Sequence, residues 1–170
     1  MPYTCTMETP LGPIRVAAEA RALTGLWFVG QRYYPSQTDI WIDTPDYPVF
    51  AALRVWLDAY FAGKNPPVAL ALAPQDSPFR HRVWRILRAI PYGQTLSYGA
   101  IALQVARELA VPAMSAQAVG GAVGHNPISL LIPCHRVIGA DGSLTGYAGG
   151  IEKKRALLEL EQGYRRWVSA

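Results

Sequence analysis

Cysteine, lysine and charge are all scarce in this chain. Its 170 residues include two cysteines, Cys5 and Cys134. That is too few for the disulfide framework of a small secreted domain, and they read as two reduced thiols with different roles. Together with His81, His125 and His135 they show no paired-ligand spacing, so no metal site is expected. Only 16% of residues are charged, and apolar segments recur throughout, which argues against disorder. No apolar run approaches the ~18 residues of a membrane span. Met1 to Ala18 lacks the basic start and long apolar stretch of a secretory signal. Repeats and low-complexity tracts are missing too. These absences lead to the expectation of a soluble, intracellular protein with no membrane partner, cytoplasmic (nucleoid-associated) in a prokaryote or nuclear in a eukaryote.

What is present suffices for a real core: 51% of residues are hydrophobic and mean hydropathy is +0.09. Net charge is +4. Lys64, Lys153 and Lys154 are the only lysines, so arginine carries the basic excess. Arginine forks onto phosphate oxygens and stacks on bases, which suits a nucleic-acid partner. A small basic excess that merely aids solubility is an equal reading of charge alone.

The first half reads as an antiparallel sheet plus a helix. Tyr3–Met7, Ile14–Ala18 and Leu23–Val29 are β-type stretches separated by tight turns. Residues 31–46 read as a surface loop. A helix follows over Tyr47–Phe61, with Phe50, Leu53, Leu57, Tyr60 and Phe61 on one apolar face. Pro74 to Asp76 reads as a linker, dividing the chain into domains 1–76 and 77–170. Ser77-Pro78 starts a second helix, on which Phe79, Val83, Ile86, Leu87 and Ile90 form the buried face. Arg82, Arg85 and Arg88 line one side of it, either as a solvated face or as a phosphate-facing stripe, the reading preferred here.

Ser97 and Ser115 can cap two further helices, Tyr98–Leu109 and Ala116–Gly124, a helix-turn-helix pattern. The second is built of tiny residues: Ala116, Ala118, Gly120, Gly121, Ala122 and Gly124. Each glycine costs a helix around 1 kcal/mol against alanine. Either a neighbouring helix packs very tightly there or a nucleic-acid backbone approaches. Ile128–Ile132 reads as an apolar strand leading into Pro133-Cys134-His135-Arg136-Val137. A Gly-rich segment, 146–150, and a final helix over Glu152–Gln162 complete the chain. Proline fixes the approach to Cys134, and the adjacent imidazole or guanidinium can lower its thiol pKa if its side chain turns to the sulfur, which adjacency alone does not fix. Cys134 is a candidate nucleophile, weighed against a plain buried apolar cysteine.

Pro133-Cys134-His135-Arg136-Val137, with His125-Asn126-Pro127 before it and Gly146-Tyr147-Ala148-Gly149-Gly150 after it, resembles the active-site signature of O6-alkylguanine-DNA alkyltransferases. The resemblance extends from about Pro78 to Gly163 and is looser in the first half. It implies an α+β fold: an RNase H-like N-terminal domain with antiparallel sheet and helix, then a C-terminal helix-turn-helix, winged-helix-like domain. It implies that Cys134 takes an alkyl group from O6 of guanine in double-stranded DNA, once per molecule, with no metal or organic cofactor. O4-alkylthymine would be a second substrate. By the same resemblance His135 acts as base through a water, Glu161 orients His135, and Asn126 stabilises the turn before the active-site segment. Tyr98 assists extrusion and protonation of the guanine. Carbonyls of Cys134 and Val137 meet its amino group, Tyr147 and the Ala148 amide line the pocket at O6, and Arg136 belongs to the substrate side. Ser115, Ala116, Gly120, Gly121 and Ala122 face the minor groove. The protein is expected to be monomeric, with cooperative assembly on DNA left open.

The sequence departs from the family at Gln117, where an arginine usually fills the gap left by the flipped base, and at Ser129 and Ala148, where proline and serine are common. The turn over 107–114 looks longer than usual. A non-catalytic lesion-binding protein, a cysteine hydrolase using Cys134 and His135, and a transcription regulator with an inert cysteine are the competing readings.

Overall fold

Alternating inward residues shape the first strands into a sheet whose order follows from short turns. In the computed structural model, which describes residues 2–164, β1 (Tyr3–Met7) pairs antiparallel with β2 (Ile14–Glu19). β2 pairs with β3 (Ala22–Phe28) through a register shift between Ala17 and Ala18. The ends of the expected domains 1–76 and 77–170, Met1 and 165–170, lie outside the described residues. The β1–β2 turn closes on Thr9 and Gly12, which exchange backbone hydrogen bonds of 3.2 and 2.9 Å. Gly12 takes a φ of +103°, which favours glycine.

The 31–46 segment is not wholly irregular. Thr38–Ile40 forms a 3-10 turn, and β4 (Ile42–Asp43) adds to β1 in parallel, giving the order β3-β2-β1-β4. Two exposed residues show no alternation, so this strand left no trace in the pattern; amides of Ile42 and Thr44 on the Pro2 and Thr4 carbonyls hold it. α1 (Pro48–Phe61) buries the expected face together with Trp56, in one core with Ile14, Val16, Leu26 and Phe28.

The second half comprises α2 (Pro78–Arg88), β5 (Leu96–Ser97), α3 (Tyr98–Leu109), α4 (Ala116–Gly124), β6 (Val137–Ile138) and α5 (Ile151–Glu161). The hydroxyls of Ser77, Ser97 and Ser115 each cap the following helix by accepting first-turn amides. α4 packs on α2 and α3, and β5 pairs in parallel with β6. The α+β class, with an antiparallel sheet followed by a helix-turn-helix part, matches the sequence expectation.

Residues 128–132 are not a strand. Only Ile128 makes a bridge, to Leu26 of β3. Beyond it the chain turns, with Leu130 at φ +72° and the Ile132 amide on the Ile128 carbonyl, 3.1 Å. The run is apolar because all five residues are buried, and a short buried run carries no period that separates strand from turn. Hydrogen bonds from Leu26 to Pro127 (2.8 Å) and from Ser129 to Leu26 (3.0 Å) fasten this segment to the edge of the first half.

Candidate active site

Asn126 sets the approach to Cys134. Its side-chain amide donates to the Ile132 carbonyl at 2.7 Å, and its oxygen accepts from the Ile128 amide at 3.0 Å, closing the turn between α4 and the cysteine. Cys134 opens a 3-10 turn, Cys134–Arg136, and is 4% exposed. It lines a cavity of about 300 Å³ shared with Tyr98, Tyr147, Arg32, Tyr33 and the α4 residues Gly120, Gly121, Val123 and Gly124.

The electrostatics of the thiol are set by burial and by residues distant in sequence. Burial pushes Cys134 above the ordinary thiol range, opposed by the Asn126 side chain and the Lys154 ammonium. The side chains of its two neighbours in sequence do not turn to it, because both turn to Glu161. His135 Nε2 lies 2.6 Å from Oε2, Arg136 Nε donates to Oε1 at 2.8 Å, and Arg136 also donates to the Ile90 carbonyl. Two further donors complete the shell of the carboxylate: the Tyr60 hydroxyl at 2.5 Å and the Gly93 amide at 3.2 Å. Burial pushes the Glu161 carboxyl up, but His135 and Arg136 outweigh it and hold the group well below the usual carboxylate range. Since Glu161 takes Nε2, the buried Nδ1 of His135 is left without a protein partner among the described residues. Tyr60 and Cys134 stay protonated more readily than usual, chiefly through burial.

Two functional candidates escaped the sequence reading. Tyr60 sat on the α1 face as an apolar residue, and nothing local connects its hydroxyl to a carboxylate about a hundred positions later. Lys154 was legible. Lys154, Leu157, Leu158 and Glu161 follow the i, i+3, i+4, i+7 spacing of one helical stripe, and two ionisable groups on an apolar stripe mark a site. Lys154 is fully buried and donates to the Thr145 and Gly146 carbonyls at 3.1 Å. Burial lowers it to about 8, and the charge of a Cys134 thiolate opposes that shift. Tyr98, half-buried, donates to Thr145 at 3.1 Å, so the 143–150 loop is tied down rather than free. Replacing Lys154 with methionine is expected to raise the pH at which Cys134 reacts with iodoacetamide, measured as labelling of its peptide. An unaltered titration would separate Lys154 from the thiol.

Of the residues assigned to the groove, Ser115, Ala116, Gln117 and Gly121 are exposed and Gly120 is half-buried. Ala122 is not: it is 2% exposed, and its carbonyl accepts from Trp84 Nε1 at 2.8 Å, which puts it on the inner side of α4. The glycines also answer whether tight packing explains them. A Cβ at Gly121 would meet nothing within 4 Å, and at Gly120 or Gly124 only ordinary contacts with Tyr98 or Tyr33. No neighbour within the fold requires these glycines. The arginine stripe does not reach the cavity: Arg82 pairs with Glu108 at 3.4 Å, while Arg85 and Arg88 border a cleft beside residues 72–74. Val137 is buried in β6, Tyr147 and Ala148 are half-buried, and Ser129 is buried against β3. Cys5, buried in β1, lies outside the site.

Two family models match the chain. The ribonuclease-like domain of 6-O-methylguanine DNA methyltransferase covers residues 2–74, and its DNA-binding domain covers residues 78–163. A Mycobacterium tuberculosis protein named methylated-DNA–protein-cysteine methyltransferase is 48% identical over 157 residues, spanning 92% of this chain and 90% of its own. A Haemophilus influenzae protein of the same name is 38% identical over 161 residues, 94% of this chain and 86% of its own. The crystal structure of Mycobacterium tuberculosis OGT in complex with DNA superposes with a TM-score of 0.85 at 43% identity, covering 96% and 95% of the two chains.

Proposed function

Because this chain belongs to the 6-O-methylguanine DNA methyltransferase family, we propose that it repairs DNA by direct reversal, moving the alkyl group of O6-alkylguanine onto Cys134. The observation that carries the assignment to Cys134 is its position on a cavity wall, followed in sequence by a histidine whose other nitrogen is held by a buried carboxylate.

The lesion base leaves the stack and enters the cavity, at a cost of a few kcal/mol repaid by phosphate and pocket contacts. α4 approaches the minor groove with Ser115, Ala116, Gly120 and Gly121, and Gln117 hydrogen-bonds the orphaned cytosine. The carbonyls of Cys134 and Val137 accept from the guanine amino group, while Tyr147 and the Ala148 amide lie at O6. His135 Nδ1 takes the Cys134 proton through a water, and Glu161 stabilises the resulting imidazolium. Arg136 supports Glu161 and meets no substrate atom. Sγ then attacks the alkyl carbon, the carbon–O6 bond breaks, and its electron pair stays on the guanine, which is protonated with help from Tyr98.

A burial-raised thiol suits such a scheme. The cysteine rests protected and ionises when a substrate is in place, with Lys154 stabilising the anion. The product thioether resists hydrolysis and no group among the described residues is placed to cleave it, so each molecule reacts once. O4-alkylthymine is a second substrate, and the protein acts as a monomer in the cytoplasm. No helix among the described residues is long and apolar enough to cross a membrane.

Intact-mass measurement after mixing with a duplex carrying O6-methylguanine tests the reading. The expected result is a gain of one methylene, mapped to Cys134 and saturating at one equivalent. Continued turnover, or a methylene elsewhere, would refute it.

A further inference from the structure

One wall of the Cys134 cavity comes from the first half of the chain. Arg32 and Tyr33, between β3 and β4, line it together with the α4 glycines. Tyr33 takes a φ of +61°, which non-glycine residues rarely adopt. A stack surrounds it: its ring lies 3.8 Å from that of His125 at an interplanar angle of 24°, and the Arg32 guanidinium lies 4.9 Å from its centre. His125 is itself fixed through Nδ1 to the Gly121 carbonyl, 2.7 Å. The Arg32 amide donates to the Ala148 carbonyl at 3.0 Å, tying this segment to the loop on the other side of the site. Arg32 is exposed, and no carboxylate pairs with it among the described residues.

A nucleotide turned into the cavity necessarily carries its two flanking phosphates to the rim. Among the residues lining the cavity, Arg32 is the only cation. We propose that Arg32, stacked on Tyr33, binds a phosphodiester oxygen of the extruded nucleotide, giving the N-terminal half a direct part in lesion recognition. The planar fork suits phosphate, its stacking limits the freedom lost on contact, and among the described residues no carboxylate is paired with it. The site rests on base extrusion as proposed above.

Single-turnover alkyl transfer from a duplex carrying O6-methylguanine, measured against salt, tests it. Arg32→Ala is expected to slow transfer about tenfold, as for one lost charge-assisted hydrogen bond. The slope of log rate against log salt should shrink by about one. Arg32→Lys should keep that slope and recover most of the rate. Alkylation of Cys134 by the free nucleobase O6-benzylguanine, which has no phosphate, should stay at the wild-type rate. Equal losses on duplex and free base, or a duplex slope unaffected by Arg32→Ala, would overturn the phosphate site. A wild-type protein alkylated by neither substrate would instead refute the repair reading itself.

Discussion

Glu161→Ala is expected to remove nearly all alkyl transfer and to weaken the fold by about 3–5 kcal/mol, the usual result of stripping one partner from a buried charged cluster. The carboxylate accepts from Tyr60, Gly93, His135 and Arg136 within a site closed to water. Its loss leaves a buried imidazole and a largely buried guanidinium without their shared carboxylate. Such a loss is a large share of a total stability of about 5–15 kcal/mol. The rate should fall on the order of 10²–10⁴-fold, as when a general base loses its orienting partner. Glu161→Gln keeps the volume and one acceptor oxygen, so it should recover part of the stability while the rate stays low. Thermal unfolding and single-turnover transfer separate the two effects. A full rate in Glu161→Gln would show that the carboxylate serves the fold alone.

The same group gives a pH dependence of known sign. Its folded pKa lies below the unfolded value of about 4.3. The unfolded chain therefore binds more protons across the interval between them, and the stabilisation is complete above it. It is lost progressively as pH falls from the unfolded value toward the folded one, and is gone below it. The gap in stability between wild type and Glu161→Ala should be widest near neutrality and close as the solution is acidified.

Gly121→Leu is expected to fold at least as well as the wild type and yet lose duplex repair on the order of 100-fold, the scale of a small displacement from a reactive geometry. Its Cβ would project into open space. Replacing glycine in a helix interior removes an entropic cost of roughly 0.5–1 kcal/mol. Stability and repair should thus move in opposite directions, which no packing role for Gly121 predicts. Reaction with free O6-benzylguanine is the control, since the leucine must block the duplex rather than fill the cavity. Gly121→Leu repairing duplex lesions at the wild-type rate would mean that this face of α4 does not meet DNA.

Helices announced themselves in the sequence because capping serines, prolines and 3.6-residue periods are local. The bounds of α3 and α4 agree with that reading, and each helix begins after the serine assigned to it. β4, β5 and β6 are two-residue strands whose pairing is decided by distant backbone, so no local pattern could reveal them. The reactive segment was legible as a string of residue types, though its shape was not. Residues 128–132 are bent by the side chain of Asn126, and hydropathy reports burial without reporting curvature. Thiol activation was open for the same reason. Adjacency in sequence does not fix where side chains point, and His135 and Arg136 turn to Glu161, while Lys154 reaches the thiol's surroundings from twenty positions away.

The Leu26–Ile128 bridge and the Tyr60 hydroxyl bond both cross from one half of the molecule to the other. A cut in the linker between residues 74 and 78 would divide the chain neatly as text while exposing apolar surface on both pieces and withdrawing a proton donor from the reactive centre. Inheritance has kept as two modules what physics holds as one. An excised C-terminal fragment would carry every residue of the signature and still be an incomplete machine.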